Sequence, residues 1–379
     1  MKALVTGASG FIGGAVARAL LRRKDHVRVL LRPGTSANLE DPSTVCSGLR
    51  PPPVSGEAGS SAVEIVRGDL RDTQAVAAAV DGCDAVFHAG AVYSFSAPES
   101  EILAVNVGGT RNVVDAVRRS GVRMVYTSSI ATVGGMHDGV LPDERSTPRG
   151  PPPGPYKRSK WEAEALVREE ARRGLDVVIV NPTFPIGWGD VKPTPTGAVI
   201  RDFLDGKIPA YVDTGMNVVD VDDVADGELL AFERGQRGER YILGHGNRTM
   251  REFLTELAEV SQRKAPRLRI PHVLALGLAH ADAFVTGRIR GRVPRIPLEG
   301  VRTAREIMFA DCRRAVRELG LRQTPIREAL AKAVQWFNGG AGFACDGRRP
   351  QAGASNGGAG FACVASREGL QAGASNGGA

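Results

Sequence analysis

The chain opens with an arrangement that few folds can use. A short apolar run, Ala3-Leu4-Val5, leads directly into Thr6-Gly7-Ala8-Ser9-Gly10-Phe11-Ile12-Gly13. Lys2 to Thr6 reads as a buried first strand. Phe11, Val16, Ala17, Leu20 and Leu21 then recur at helical spacing, so a helix starts near Gly10. So tight a strand-to-helix turn needs residues that tolerate positive φ and leave room beside the backbone. The helix start adds free N–H groups and a positive dipole end, which together suit a phosphate. The spacing is G-x-x-G-x-x-G, and in a chain with 47 Gly a bare glycine pattern says little. Its place on the first strand of a βαβ pattern gives it weight. Gly7, Gly10, Phe11, Ile12 and Gly13 are the expected cradle of a dinucleotide pyrophosphate.

The next segments fit such a cofactor. A second strand, His26 to Leu31, ends at Arg32, where NAD-binding folds carry an acid for the ribose 2′-OH. No acid follows until Glu40. A cation here suits a 2′-phosphate, so NADP is expected in preference to NAD; the plainer alternative is a solvated loop arginine. A third strand, Val63 to Val66, leads to Gly68-Asp69-Leu70, with Asp69 placed to accept from the adenine amino group. A fourth, Ala85 to His88, leads to Ala89-Gly90-Ala91, small enough for close approach to the cofactor. Strands alternating with helices predict an α/β fold, a Rossmann-type doubly wound parallel sheet.

A second motif carries the chemistry. Met124-Val125-Tyr126 reads as a strand ending in Thr127-Ser128-Ser129, and parallel α/β sheets bind ligands at the carboxyl ends of their strands. Tyr156-Lys157-Arg158-Ser159-Lys160 opens a long helix, and residues four apart share a helix face. Lys160 beside the Tyr156 hydroxyl, together with the positive nicotinamide ring, is expected to lower its pKa from about 10 towards neutrality. Tyr156 then serves as base on an alcohol or acid on a ketone. Ser129, with Ser128 as second choice, holds the same substrate oxygen.

Thr6 to Gly13, Gly68-Asp69-Leu70, Asn106, Thr127-Ser128-Ser129 and Tyr156/Lys160 resemble the extended short-chain dehydrogenase/reductases, the NAD(P)-dependent epimerase/dehydratase and dihydroflavonol reductase-like proteins, from Met1 to about Phe337. Val125 to Thr132, Asn181-Pro182-Thr183-Phe184-Pro185-Ile186-Gly187, Lys192 to Gly197 and Pro209 to Gly215 look like the hopanoid-associated sugar epimerase subgroup of bacteria. The resemblance implies Ser129, Tyr156 and Lys160 as catalytic residues, Asn106 completing the site, and Asn181-Pro182-Thr183 bordering the nicotinamide. It implies an epimerase or oxidoreductase acting on a sugar-like hydroxyl or carbonyl, in hopanoid (lipid) biosynthesis, with a dihydroflavonol reductase-like carbonyl reductase as the alternative. It also implies a homodimer through the helix bearing Tyr156. Two departures bear on the substrate: the stiff run Pro151-Pro152-Pro153-Gly154-Pro155, and Phe184 where the family pattern suggests a small polar residue.

Composition narrows the rest. The net charge of +7 is mild, with Arg22-Arg23-Lys24 and Arg288, Arg290, Arg292 and Arg295 as its local concentrations. It reads as a solvated surface or an attraction to nucleotides or anionic lipid; no nucleic-acid module is present. Cys46, Cys83, Cys312, Cys345 and Cys363 show no metal spacing and fit a reducing compartment. With Met1 running into the first strand and no apolar run of about 18 residues, the expected location is cytoplasmic. Asp222 and Asp223 lack a His or Cys to complete a metal site and read as a helix N-cap. Thr249 and Glu252 form a capping box. Val273 to Thr286 reads as an apolar helix packed on the C-terminal lobe, or else a membrane-contacting patch. The division expected is a cofactor core at 1–180 with a mobile insertion at 36–61, an interleaved substrate lobe at 181–337, and a disordered Gly/Ala-rich repeat tail at 338–379.

Overall fold

The computed structural model describes residues 1–39, 62–94, 97–289 and 298–339. The cofactor half runs β1 (Lys2–Thr6), α1 (Phe11–Arg22), β2 (His26–Leu31), β3 (Val63–Arg67), α2 (Thr73–Val80) and β4 (Ala85–His88). It continues through α3 (Glu99–Leu103), a wide π turn (Ala104–Gly109) into α4 (Thr110–Ser120), β5 (Arg123–Thr127), α5 (Pro155–Arg172) and β6 (Val177–Pro182). Then follow β7 (Phe184–Ile186), α6 (Pro195–Leu204), β8 (Ala210–Val212), β9 (Gly215–Asp220), α7 (Val221–Arg234) and β10 (Arg240–Leu243). The rest comprises β11 (Gly246–Thr249), α8 (Met250–Ser261), β12 (Leu268–Ile270), α9 (His272–Asp282), α10 (Leu298–Thr303), β13 (Ile307–Met308) and α11 (Ile326–Gly339).

The main sheet has the order β10-β6-β5-β4-β1-β2-β3 and is parallel throughout, the doubly wound sheet that the strand pattern predicts. The inner strands β1, β4 and β6 are largely apolar because both faces are covered, whereas the edge strand β3 carries exposed Glu64, Ile65 and Arg67. Val16, Leu20, Val224 and Leu229 from α1 and α7 pack one face. Val76, Val113, Val117 and Val167 from α2, α4 and α5 pack the other. Each such side chain removed from water contributes about 1.5–3 kcal/mol. The chain order reverses between β1 and β4, and there the loops after both strands open a crevice, where doubly wound folds bind ligands.

Beyond β6 the chain builds a second sheet on β9, which pairs with β7, β11 and β13. Ile200, Phe253, Leu257, Leu330 and neighbours from α6, α8 and α11 fill its core. The capping box forms at Thr249 as expected. The cap of α7, however, is Asp220, whose side chain accepts from Asp222 N. Asp223 turns inward instead and receives the Thr324 N–H and hydroxyl. No metal-binding cluster occurs among the described residues.

Two further expectations change. The insertion at 36–61 begins anchored, because Asn38 N donates to Ala8 O at 2.7 Å and Ala37 and Leu39 pack against the core; residues 40–61 lie outside the described residues. The apolar segment from Val273 does form a helix, α9, but only Ala275 and Ala279 are buried on it. α11 continues to Gly339, and the tail beyond lies outside the described residues. No described helix is long and apolar enough to cross a membrane.

Candidate active site

The glycine turn is shaped by close contact. Gly7 has φ +77°, and a Cβ there would sit 2.8 Å from the backbone of Ala89 and Gly90. A Cβ at Gly13 would collide with the Gly7 carbonyl. Side chains are therefore excluded where the loops after β1 and β4 meet. Gly10 N donates to Gly7 O at 2.8 Å, and Gly10 caps α1 with no side chain on its first amides. Free N–H groups at Phe11 and Ile12, a bare backbone and a helix N-terminus fit the pyrophosphate of NAD(P).

The floor of the crevice is tied by one buried histidine. His88 Nδ1 lies 2.7 Å from Thr6 Oγ1, which also accepts from Gly90 N, and His88 Nε2 lies 3.0 Å from Thr110 Oγ1. Thr110 gives its own proton to Asn106 O, so it accepts from Nε2–H and Thr6 donates to Nδ1. Burial, with Lys160 nearby, pushes the imidazole down to about 3, which keeps it neutral. Ala89 is half-buried and Ala91 exposed on the crevice side of this floor. Leu70 packs against Gly90 and Gly109.

At the adenosine end, Arg32 is exposed and its carbonyl accepts from Thr35. Asp69 is clasped by Arg71 at 2.8 and 2.9 Å, which holds its carboxyl below the usual range. Both Asp69 oxygens are thus already engaged where an adenine amino group was expected.

The candidate acid/base group assembles on α5. Pro155 starts this helix after Gly154 at φ +86°, the fixed proline φ suiting its first turn. Tyr156 is half-buried, and burial pushes its hydroxyl up to about 12 despite a hydrogen bond with Ser129. Lys160 is buried one turn on, and its Nζ donates to Thr127 O at 2.7 Å and lies 4.9 Å from the Tyr126 ring centre. At Tyr156 the effect of burial is the larger, and the Lys160 ammonium is held by the strand-end carbonyl. Burial also brings Lys160 down to about 8, against the pull of Glu164 and Glu228.

Ser129 caps a 3-10 turn, accepting from Ala131 N at 3.2 Å. Ser128 points away into the core, 2.5 Å from Glu164 Oε2, and so is not the substrate-facing serine. Asn106 accepts from Val92 N and donates to Val92 O and Ser159 Oγ, fastening the loop after β4 to α5. Asn181 is fully buried, donating to Glu164 Oε2, Thr132 Oγ1 and Ser129 O. Thr183 N bonds Leu243 O, and Pro182 is buried beside it. The Asn181 and Thr183 side chains position strand ends, leaving the backbone of this segment to border a cofactor.

Three residues here carry no local sequence signal. Tyr93 stacks on Tyr156 with ring centres 3.9 Å apart. Asn38 donates to Gly10 O and Gly189 O and receives Arg18, bridging the glycine turn to the loop after β7. Glu164 collects Ser128, Thr132, Asn181 and Arg240 under α5. A fourth group, Glu228, is fully buried beneath Thr127, whose hydroxyl donates to it at 2.7 Å. Burial raises its carboxyl to about 7. Between its ordinary 4.5 and about 7 the folded chain holds the extra proton, so stability falls as pH rises through that window. Melting temperatures measured across it should fall less in Glu228→Gln than in the parent; parallel curves would contradict the assignment.

A family model described as NAD dependent epimerase/dehydratase family matches residues 3–244. A putative dihydroflavonol 4-reductase of Synechocystis sp. is 40% identical over 340 residues, covering 88% of this chain and 93% of its own length. Sterol demethylase protein B of Methylococcus capsulatus is 36% identical, covering 89% and 98%. Among solved structures, a nucleoside-diphosphate-sugar epimerase from Pseudomonas aeruginosa superposes with a TM-score of 0.69 at 27% identity, covering 89% of this chain and 97% of that one.

Proposed function

Because this chain belongs to the NAD dependent epimerase/dehydratase family, we propose that it is an NADPH-dependent reductase of a small-molecule carbonyl. The observation that carries the reading is the geometry at the start of α5: the Tyr156 hydroxyl is hydrogen-bonded to Ser129, and buried Lys160 sits one turn behind with its Nζ on the Thr127 carbonyl. A phenol at that position can give its proton to a carbonyl oxygen. The 40% identity with a putative dihydroflavonol 4-reductase supports the same direction.

Gly7, Gly10, Phe11, Ile12 and Gly13 would hold the pyrophosphate, and Arg32 the 2′-phosphate. When bound there, NADPH would supply the hydride from its nicotinamide. Tyr156 gives its proton to the carbonyl oxygen while Ser129 donates a hydrogen bond to the same atom. Lys160 stabilises the phenolate left behind, and His88, Asn106 and Glu164 keep the strand ends and α5 in register.

A second reading, a sugar epimerase in hopanoid synthesis, is supported by the Asn181 to Gly187 and Pro209 to Gly215 segments and by the likeness to the Pseudomonas epimerase. The two separate on cofactor stoichiometry. With a panel of ketones and nucleotide sugars, the reductase consumes one NADPH per product formed. An inverted sugar with the cofactor unchanged would replace this reading with the second.

Arg32 tests the cofactor preference. Charge-assisted hydrogen bonds contribute about 1.5–3 kcal/mol, so Arg32→Ala should weaken NADPH binding by ~10- to 100-fold. NADH binding should be nearly unaffected. Equal losses for both cofactors in a fluorescence titration would remove Arg32 from the 2′-phosphate.

A further inference from the structure

α9 presents apolar side chains to solvent along its outward face. Val273 is 81% exposed, Leu274 54% and Leu278 38%, and Phe284, just past the helix, is 59% exposed. Positions 273 and 277, and 274 and 278, are successive i, i+4 steps on one face, while Ala275 and Ala279 on the opposite face seat the helix against Ala210, Val212 and Val301. Leu276 is half-buried against the same cluster, so three of the four large apolar side chains of α9, Val273, Leu274 and Leu278, are exposed, more than seating it on its own lobe requires.

The charges around this face are mostly positive. Arg263, Lys264 and Arg267 precede the helix and Arg288 follows it; all four are exposed, and none forms an ion pair among the described residues. Arg269 is paired with Asp213. The acids on or beside the face are Asp213, so paired, and the half-buried Asp282, which accepts from Thr286. Against a second copy of this chain, a two-fold contact would bring these cations onto one another. A surface offering both apolar depth and negative charge has no such conflict.

We infer that α9 docks the protein on an anionic lipid bilayer, lying in the interface with Val273, Leu274, Leu278 and Phe284 inserted and the flanking cations on the headgroups. At 11 residues α9 is about 16 Å long, enough to lie in the headgroup boundary and too short to span a bilayer. The attachment leads to the catalytic helix: α9 packs on α10, and Glu306, three residues past α10, holds Lys157 at 2.7 Å next to Tyr156. Docking therefore sets the start of α5 close to the bilayer. The inference does not rest on the direction of the reaction, and its test reads no turnover.

The full chain would be sedimented with phosphatidylglycerol-containing vesicles and with pure phosphatidylcholine vesicles. Binding to the first, weakened by added salt and much weaker on the second, is expected. Leu274→Glu/Leu278→Glu should lose at least ~10-fold of that partitioning, since the change removes apolar contact and adds repulsion from the lipid charge. Because both side chains already face solvent, its melting temperature and NADPH affinity should stay at the parent values, a readout that separates lost docking from lost folding. No binding to either vesicle, equal binding to both, or equal binding by the variant would overturn the inference. So would a dimer in light scattering that the double variant dissociates, which would assign the face to a second copy.

Discussion

Tyr156→Phe will lower turnover by ~10²-fold or more while leaving NADPH binding close to the parent value, because it removes the proton donor and little else. Tyr156 stands where α5 begins, with its hydroxyl at Ser129 and its ring stacked on Tyr93. Phenylalanine keeps the ring and that stack, so the loss isolates the proton. Lys160 adds a pH signature. Its ammonium titrates at about 8, lowered by burial, so the rate of reduction should fall as pH rises through that value and the positive potential beneath Tyr156 disappears. Pre-steady-state rates of Tyr156→Phe within a few-fold of the parent on an accepted carbonyl would remove Tyr156 from the acid role.

Glu164→Ala should cost about 3–5 kcal/mol of stability, the range for removing one partner of a buried ion pair. Glu164 and Arg240 are almost wholly buried at 3.1 Å, and the same carboxylate receives Ser128, Thr132 and Asn181. Loss of Glu164 leaves three neutral donors and a guanidinium without that acceptor, although Arg240 keeps the Glu144 and Ser146 carbonyls. The deficit falls where β5, β6, β10 and α5 meet, so activity should fall with stability. Replacing both partners with apolar residues, Glu164→Met/Arg240→Met, should recover part of the loss, since no uncompensated charge then stays buried. Urea unfolding that shows less than about 1 kcal/mol for Glu164→Ala would mean that water reaches the site and that the network does not anchor the helix.

The parts readable from sequence are those whose cause is local. β1 and β4 occupy their apolar runs because a strand covered on both faces needs one. The glycine turn and Tyr156 with Lys160 were legible because φ, phosphate access and helix periodicity each dictate residue type at short range. What was missed is fixed by distant partners. Asn38 sits in a polar stretch without periodicity, and its partner Gly189 lies 151 residues away. Glu164 resembles any helix-surface glutamate until Arg240 is brought against it. The cap of α7 fell on Asp220 because three aspartates in Val219-Asp220-Val221-Asp222-Asp223 offer the same local chemistry, and only the register of β9 chooses among them. For α9, apolar composition gave the helix correctly but could not show which face the lobe would cover.

The most direct test of the reductase assignment uses NADPH carrying deuterium at the transferable nicotinamide position, with a carbonyl that the protein accepts. One deuterium should appear at the new carbinol carbon for each NADPH oxidised. In a parallel run with NADP⁺ or NAD⁺ and nucleotide sugars, a stereocentre that inverts with no net change in the cofactor would contradict the account and make the protein an epimerase.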